Sequence, residues 1–151
     1  MPVLPRPDAC RGCSLDPIAY GFAPPEGPTT SPLLFLGEAL GGTEAAVGRP
    51  FVGDAGGMLT RLFRLLGWQR EDHRIGNCIS CRPPNDWMDG NPQAPWFHSS
   101  IEHCGVYRRR LFEEPHKVVV TLGGTALRTV MELLGHKKIR VNDFHGSVLR
   151  D

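Results

Sequence analysis

The sequence predicts an α/β fold in which a short parallel sheet carries helices on its faces. Two apolar runs, 33–36 and 118–122, have the length and composition of buried strands, and both are followed by glycine. After each glycine segment the apolar residues recur at helical spacing. A repeated succession of strand, glycine turn and helix indicates parallel strands. Ligands of such sheets bind beyond the carboxyl ends of the strands, so we expect a site there.

The remaining elements follow from periodicity and stop signals. Helices are predicted over 58–66, from Ser99 or Ser100 to about 114, and over 125–134, and a further strand over 74–80. Gly67, Pro115 and Gly135 end the three helices.

Three stretches carry no regular pattern. Residues 1–32 are rich in proline and predict an irregular arm that needs outside contacts to become ordered. Residues 37–57 predict a glycine-rich loop, and residues 82–98 a loop rich in proline and tryptophan. Loops between regular elements are where binding sites are most often built.

Composition narrows the range of functions. The 151 residues suffice for one domain, and 17 Lys and Arg against 16 Asp and Glu give no bulk attraction to a polyanion. No apolar run approaches the ~20 residues of a membrane span, and the start has no signal-peptide pattern. We therefore expect a single cytoplasmic domain without membrane association. In a reducing compartment, clustered cysteines favour metal or catalytic roles over disulfides.

Four of the five cysteines suggest a metal centre. Cys10 and Cys13 have the spacing with which two thiolates hold one centre, and Cys81 and Cys104 are candidates for the other two ligands. Such a site would tie the irregular arm to the body of the domain. Spacing alone does not separate zinc from a [4Fe-4S] cluster, or either from ordinary buried cysteines. Cys78, three positions before Cys81, is expected to face the opposite side of its strand.

The glycine-rich loop and the second strand carry residues suited to a flat ligand. The loop lacks both the dinucleotide fingerprint and the Walker pattern. It offers carboxylates at Glu38 and Glu44 and an aromatic ring at Phe51, and Asn77 can both donate and accept hydrogen bonds. A stacked pyrimidine read along its polar edge fits this set. The alternative is that Phe51 belongs to the core, Asn77 to a turn and Glu38 to the solvated surface.

Taken in order, these motifs resemble the family 4 uracil-DNA glycosylases from Cys10 to about Gly146. The matching blocks are Cys10-x-x-Cys13, Gly37-Glu38-Ala39-Leu40-Gly41, Glu44, Gly48-Arg49-Pro50-Phe51-Val52-Gly53, Ala55-Gly56, Asn77, Cys81-Arg82-Pro83-Pro84 and Cys104. The resemblance implies a three-layer α/β/α sandwich. It also implies a structural [4Fe-4S] cluster on Cys10, Cys13, Cys81 and Cys104, and so favours iron–sulfur over zinc.

The resemblance further implies a DNA-repair enzyme that cleaves the glycosidic bond of uracil flipped out of DNA, acting as a monomer on uracil-containing DNA. Glu38 matches the catalytic acid, Phe51 the ring that stacks on uracil and Asn77 the amide that reads the base. Glu44 matches a second acid whose role is left open. The expected substrate-binding set is Gly37, Ala39, Gly41, Glu44, Phe51 and Asn77.

The chain also departs from the family pattern. Leu40 stands where the family usually has proline and Ala45 where it has aspartate, and the distal His-Pro-Ser motif is missing. His145 precedes Gly-Ser and lies too early to be that histidine. Two interpretations are open: a C-terminally incomplete chain of a longer glycosylase, or a reduced relative. The rival function is a metal-stabilised module that binds nucleic acid or a base without cleavage.

Overall fold

A parallel sheet forms the centre of the computed structural model, which describes residues 4–84, 97–136 and 140–149. Within these residues the sheet has three strands, with β1 (Leu33–Gly37) between β2 (Arg74–Asn77) and β3 (Val118–Thr121). Both neighbours run parallel to β1. The register aligns Gly37 with Asn77, so that the carboxyl ends of β1 and β2 lie side by side.

Helices cover both faces of the sheet, as expected of an α/β/α sandwich. The described helices are α1 (Gly42–Val47), α2 (Asp54–Leu66), α3 (Phe97–His103), α4 (Gly105–Glu113), α5 (Gly124–Leu133) and α6 (Val141–Phe144).

Alternation along β1 decides which helices lie on which face. Phe35 packs against Leu59 and Phe63 of α2. On the other face, Leu34 and Leu36 pack in one cluster with residues of α4 and α5, namely Leu111 and Ala126.

The predicted strands and helices are present, with several differences in their bounds. Helix α2 begins at Asp54, four residues before the predicted start. The loop 37–57 contains helix α1, which begins after Gly41 and ends at Gly48, whose φ of +75° suits glycine. The helix predicted from Ser99 or Ser100 to about 114 is divided at Cys104 into α3 and α4.

The second strand is shorter than the predicted 74–80 because its regular pairing stops at Asn77. The next two amides still donate to the last residue of β1 and to the residue after it, from Cys78 to the carbonyl of Gly37 and from Ile79 to that of Glu38, both at 2.9 Å. Residues 85–96 of the predicted loop 82–98 lie outside the described residues.

The N-terminal arm is irregular apart from one 3-10 turn at Asp8–Cys10, and it lies along the outer edge of β2. Glu26 and Ile75 exchange backbone hydrogen bonds of 2.9 Å in both directions, and Tyr20 forms an isolated antiparallel bridge with Arg82. The order of the arm therefore comes from contacts with the sheet and with the segment after it. In the described segments we find no helix whose length and apolar character would let it span a bilayer.

Candidate active site and cysteine cluster

A cavity of about 370 Å³ opens at the carboxyl ends of β1 and β2. Its walls come from the segment after β1, from the first turn of α1, from the segment that leads into α2, and from the end of β2. The lining residues are Glu38, Ala39, Leu40, Gly41, Gly42, Thr43, Glu44, Phe51, Gly53, Asp54, Ala55 and Asn77. Its volume lies in the range of pockets that bind small ligands.

Glu38 and Asn77 enter this cavity from adjacent strands. Glu38 is half-buried and directly follows β1, whereas Asn77 is the last residue of β2 and is 7% exposed. The hydrogen bonds from Cys78 to Gly37 and from Ile79 to Glu38 hold the two strand ends together. A carboxylate and an amide are thereby fixed on one rim of the cavity.

Phe51 and Asn77 approach each other beside Gly37. A Cβ atom on Gly37 would lie 2.4 Å from Cζ of Phe51 and 2.5 Å from Oδ1 of Asn77. Both distances are far below van der Waals contact, so a side chain at this position would displace the ring or the amide. Gly37 does not itself line the cavity, yet the absence of its side chain allows these two groups to form one wall.

Glu44 is turned toward the backbone of the loop that carries Phe51. It is 8% exposed, and its Oε1 accepts hydrogen bonds from the amides of Val52 at 3.1 Å and Gly53 at 2.7 Å. A Cβ on Gly41 would lie 2.8 Å from Oε2 of Glu44, so glycine also makes room for this carboxylate. The sequence left the role of Glu44 open. In the structure its carboxylate binds two backbone amides of the loop.

Two of the departures from the family pattern, Leu40 and Ala45, are buried side chains. Leu40 is 2% exposed and Ala45 is fully buried, and both pack with Ala23 of the arm. A Cβ on Gly21 would lie 2.5 Å from the carbonyl oxygen of Ala45, so the arm passes very close to α1. The small side chain at position 45 suits this close packing.

Three of the four candidate ligand cysteines share one buried cluster. Cys13, Cys81 and Cys104 pack with Leu15 and Ile79, and each is 6–7% exposed. Cys10 is half-buried in the 3-10 turn that precedes Cys13.

The buried thiols of this cluster influence one another's pKa. Burial, with smaller contributions from the neighbouring thiols of Cys104, Cys13 and Cys10, raises the pKa of Cys81 to about 12. Burial likewise raises the pKa of Cys104, with added contributions from Cys13 and Cys10. Four thiolates in this place would repel one another strongly unless a positively charged centre bound them.

Cys78 lies apart from the candidate ligands, as the strand pattern predicts. It packs with Leu34, Leu36, Leu111 and Ala126 on the face covered by α4 and α5. Its pKa is raised to about 11, chiefly by burial.

Helix α3 is joined to the arm around the cysteines. Sγ of Cys13 donates to Oγ of Ser100 at 3.8 Å, and Nε2 of His103 lies 2.7 Å from the carbonyl oxygen of Ala9. The hydroxyl of Ser14 lies 2.7 Å from that of Ser99. Within residues 4–84, 97–136 and 140–149, no three His, Cys, Asp or Glu side chains lie close enough together to hold a single metal ion.

Sequence comparisons place this chain in a known family. The family model described as "Uracil DNA glycosylase superfamily" matches residues 24–149, which is most of the chain. The chain belongs to the uracil-DNA glycosylase superfamily. The resemblance to its type 4 members is supported by individual relatives, each named "Type-4 uracil-DNA glycosylase".

The chain is 34% identical to the Archaeoglobus fulgidus relative over 141 residues, which cover 93% of this chain and 67% of the relative. It is 39% identical to the Saccharolobus solfataricus relative over 117 residues, which cover 76% of this chain and 50% of the relative. It is 32% identical to the Thermotoga maritima relative over 145 residues, which cover 96% of this chain and 71% of the relative. The matched segment thus spans between half and about 70% of the length of these superfamily members.

The sequence motifs led to Glu38, Phe51 and Asn77 in the cavity, but not to Arg70. Arg70 lies in the 3-10 turn Arg70–Asp72, and its guanidinium donates to the carbonyl oxygens of Pro50 and Phe51. Nothing in the local sequence marks an arginine in a short polar turn as part of a site. Its contact depends on how the turn and the loop meet in space.

Proposed function

We propose that this chain is a uracil-DNA glycosylase that hydrolyses the bond between uracil and deoxyribose after the base has left the DNA duplex. The observation that carries the proposal is the shared cavity of Glu38, Phe51 and Asn77 at the carboxyl ends of β1 and β2. A carboxylate, an aromatic ring and an amide with both a donor and an acceptor suit a flat pyrimidine joined to a sugar.

In the proposed reaction the glycosidic bond breaks and its electron pair moves to N1 of uracil, which leaves positive charge on the sugar. The Glu38 carboxylate opposes that charge and orients a water, whose oxygen bonds to C1′ and keeps one proton as the C1′ hydroxyl, while its other proton passes to the carboxylate and then to solvent or the uracil anion. Asn77 binds the polar edge of uracil, and Phe51 stacks on its face. Backbone amides of the loop that includes Ala39 and Gly41 stabilise charge on a uracil oxygen.

The cysteine cluster supports a [4Fe-4S] group held by Cys10, Cys13, Cys81 and Cys104. A zinc ion needs four ligands at about 2.3 Å from one point. In a cubane each of four thiolates binds a different iron, and Cys13, Cys81 and Cys104 share one buried cluster, with Cys10 in the turn that precedes Cys13. When bound, this group would supply a covalent cross-link between the arm, the segment after β2 and the α3–α4 junction. The catalytic steps belong to the residues of the cavity, and we propose that the enzyme acts as a cytoplasmic monomer.

The glycosylase proposal is tested with a uracil-containing oligonucleotide, single-stranded and paired, followed by alkali to cut abasic sites. Wild-type protein should release uracil, and Glu38→Gln and Asn77→Asp should each lose at least about 100-fold in rate. Glu102→Gln, at an exposed glutamate of α3, is the matched control. A gel shift without release by wild-type protein would instead support the non-catalytic binding module.

The cluster proposal is tested by anaerobic purification followed by metal and sulfide analysis. We expect a brown protein with about four iron and four sulfide per chain. Cys13→Ser and Cys81→Ser should lose the colour, whereas Cys78→Ser, which alters the cysteine on the other face, should keep it. A colourless wild-type protein that releases one zinc on thiol modification would refute the iron–sulfur assignment.

A further inference from the structure

Arg70 contacts the backbone of the residue that carries the candidate stacking ring. Its Nη1 donates to the carbonyl oxygen of Phe51 at 3.0 Å, and its Nη2 donates to that of Pro50 at 2.6 Å. The side chain of Arg70 is only 12% exposed. Hydrogen bonds from a charged donor are strong, and solvent weakens them little in such a place.

Glu26 holds the same guanidinium from the side of the arm. It accepts a hydrogen bond from Nε of Arg70 at 2.8 Å and also contacts Nη2. Arg49 pairs with Glu26 as well, with 2.9 Å from Nε to Oε2, but its side chain is 54% exposed. Among the described residues, the Arg49 guanidinium donates to Glu26 and, unlike that of Arg70, does not donate to the carbonyls of Pro50 and Phe51.

Phe51 has a backbone conformation that needs support. Its φ is +52°, in the left-handed region that side chains other than glycine rarely adopt. On the side of α2, a Cβ on Gly56 would lie 1.9 Å from the carbonyl oxygen of Phe51. That oxygen is therefore confined between the backbone of α2 and the guanidinium of Arg70.

We propose that Arg70 is a positioning residue for base recognition. By fixing the carbonyls of Pro50 and Phe51, it holds the backbone of Phe51 in the left-handed conformation that directs the ring to the wall shared with Asn77. Arg70 does not line the cavity and acts only through Phe51. The inference rests on the proposed function, because the partner of the ring is the flipped uracil.

The first test measures uracil release in a double-mutant cycle. Arg70→Met should lower kcat/KM about 10- to 100-fold, because small displacements of positioning groups have effects of this size. In a Phe51→Ala background the same change should lower it less than twofold, since the residue through which Arg70 acts is gone. Arg49→Met, which alters the other arginine on Glu26, should stay within about twofold of wild type. Independent, multiplicative losses in the double variant would overturn the proposal.

The second test does not depend on activity. Hydrogen exchange at the amides of Val52 and Gly53 should be at least about tenfold faster in Arg70→Met than in wild-type protein and unchanged in Arg49→Met. Equal exchange in both variants would overturn the proposal. If wild-type protein releases no uracil, the proposed function fails and this measurement alone decides the role of Arg70.

Arg70→Lys is a second variant that tests the proposal if Arg70→Met does not fold. Lysine keeps the charge beside Glu26 but lacks the planar fork that reaches two carbonyls at once. We expect Arg70→Lys to show faster exchange at Val52 and Gly53 with a melting temperature near that of wild type. Wild-type exchange and activity in Arg70→Lys would count against the proposal.

Discussion

The carboxylate of Glu44 and the backbone amide of Gly53 are joined by a 2.7 Å hydrogen bond that crosses the candidate active site. The same carboxylate oxygen also accepts from the amide of Val52. Helix α1 and the segment leading into α2 are thereby connected. The two glutamates of the loop therefore differ in their surroundings. Glu44 binds backbone amides, whereas Glu38 follows β1 on the rim of the cavity.

Replacing Glu44 should reveal a supporting role. Glu44→Ala leaves two loop amides without their acceptor, and we expect a loss of about 1–3 kcal/mol in the free energy of unfolding together with reduced uracil release. Glu44→Gln keeps an acceptor oxygen and should retain most of both. Urea unfolding and the alkali assay check this. A Glu44→Gln variant that is as inactive as Glu38→Gln would show that the charge of Glu44 takes part in the reaction.

Gly37→Ala should impair the cavity more than the fold. The added methyl group would collide with the Phe51 ring and the Asn77 amide, whose side chains can move aside. We expect uracil release to fall at least about tenfold, while the melting temperature changes by only a few degrees. Gly57→Ala is the matched control, because its Cβ would meet nothing within 4 Å and alanine favours helix α2. Equal activity in both variants would contradict this view of the wall.

The buried imidazole of His73 should lower the free energy of unfolding relative to an apolar ring at the same position. Its ring is 9% exposed among Phe35, Phe63 and Trp68, and neither ring nitrogen has a hydrogen-bond partner within the described residues. Burying such polar atoms without partners is unfavourable. We therefore expect His73→Phe to stabilise the protein by about 1–2 kcal/mol in urea unfolding. A clear loss of stability would mean that a ring nitrogen has a bound partner, such as water.

Arg74 and Glu114 form a buried ion pair between β2 and the end of α4. Two hydrogen bonds of 2.7 Å join them, and their side chains are 13% and 14% exposed. Arg74→Met removes two hydrogen bonds from Glu114, whose Oε2 keeps a 3.1 Å contact with Nε2 of His116, and should lower the free energy of unfolding by about 1–3 kcal/mol. Adding Glu114→Leu should restore part of that loss. A double variant less stable than Arg74→Met would show that Glu114 is stabilised by its other contacts.

The sequence predicts the sheet, its helices and the position of the cavity because these depend on local patterns. Buried strands are short apolar runs, and the parallel arrangement itself brings Glu38 and Asn77 together at one edge. Helix α1 escapes prediction because it lies among glycines that resemble a loop.

The contacts of Glu44 and Arg70 escape prediction for a different reason. Both side chains bind backbone atoms of residues 50–53, and these contacts arise only after the loop has folded. No pattern of residue types along the chain encodes them.

The N-terminal arm occupies the outer edge of β2 through its pairing at Ile75. An open strand edge can pair with another molecule and cause aggregation. If the cysteine-bound group anchors this arm, oxidative loss of the group would release the arm and leave that edge open. On that assignment, loss of the group would promote self-association of the protein through the exposed strand edge.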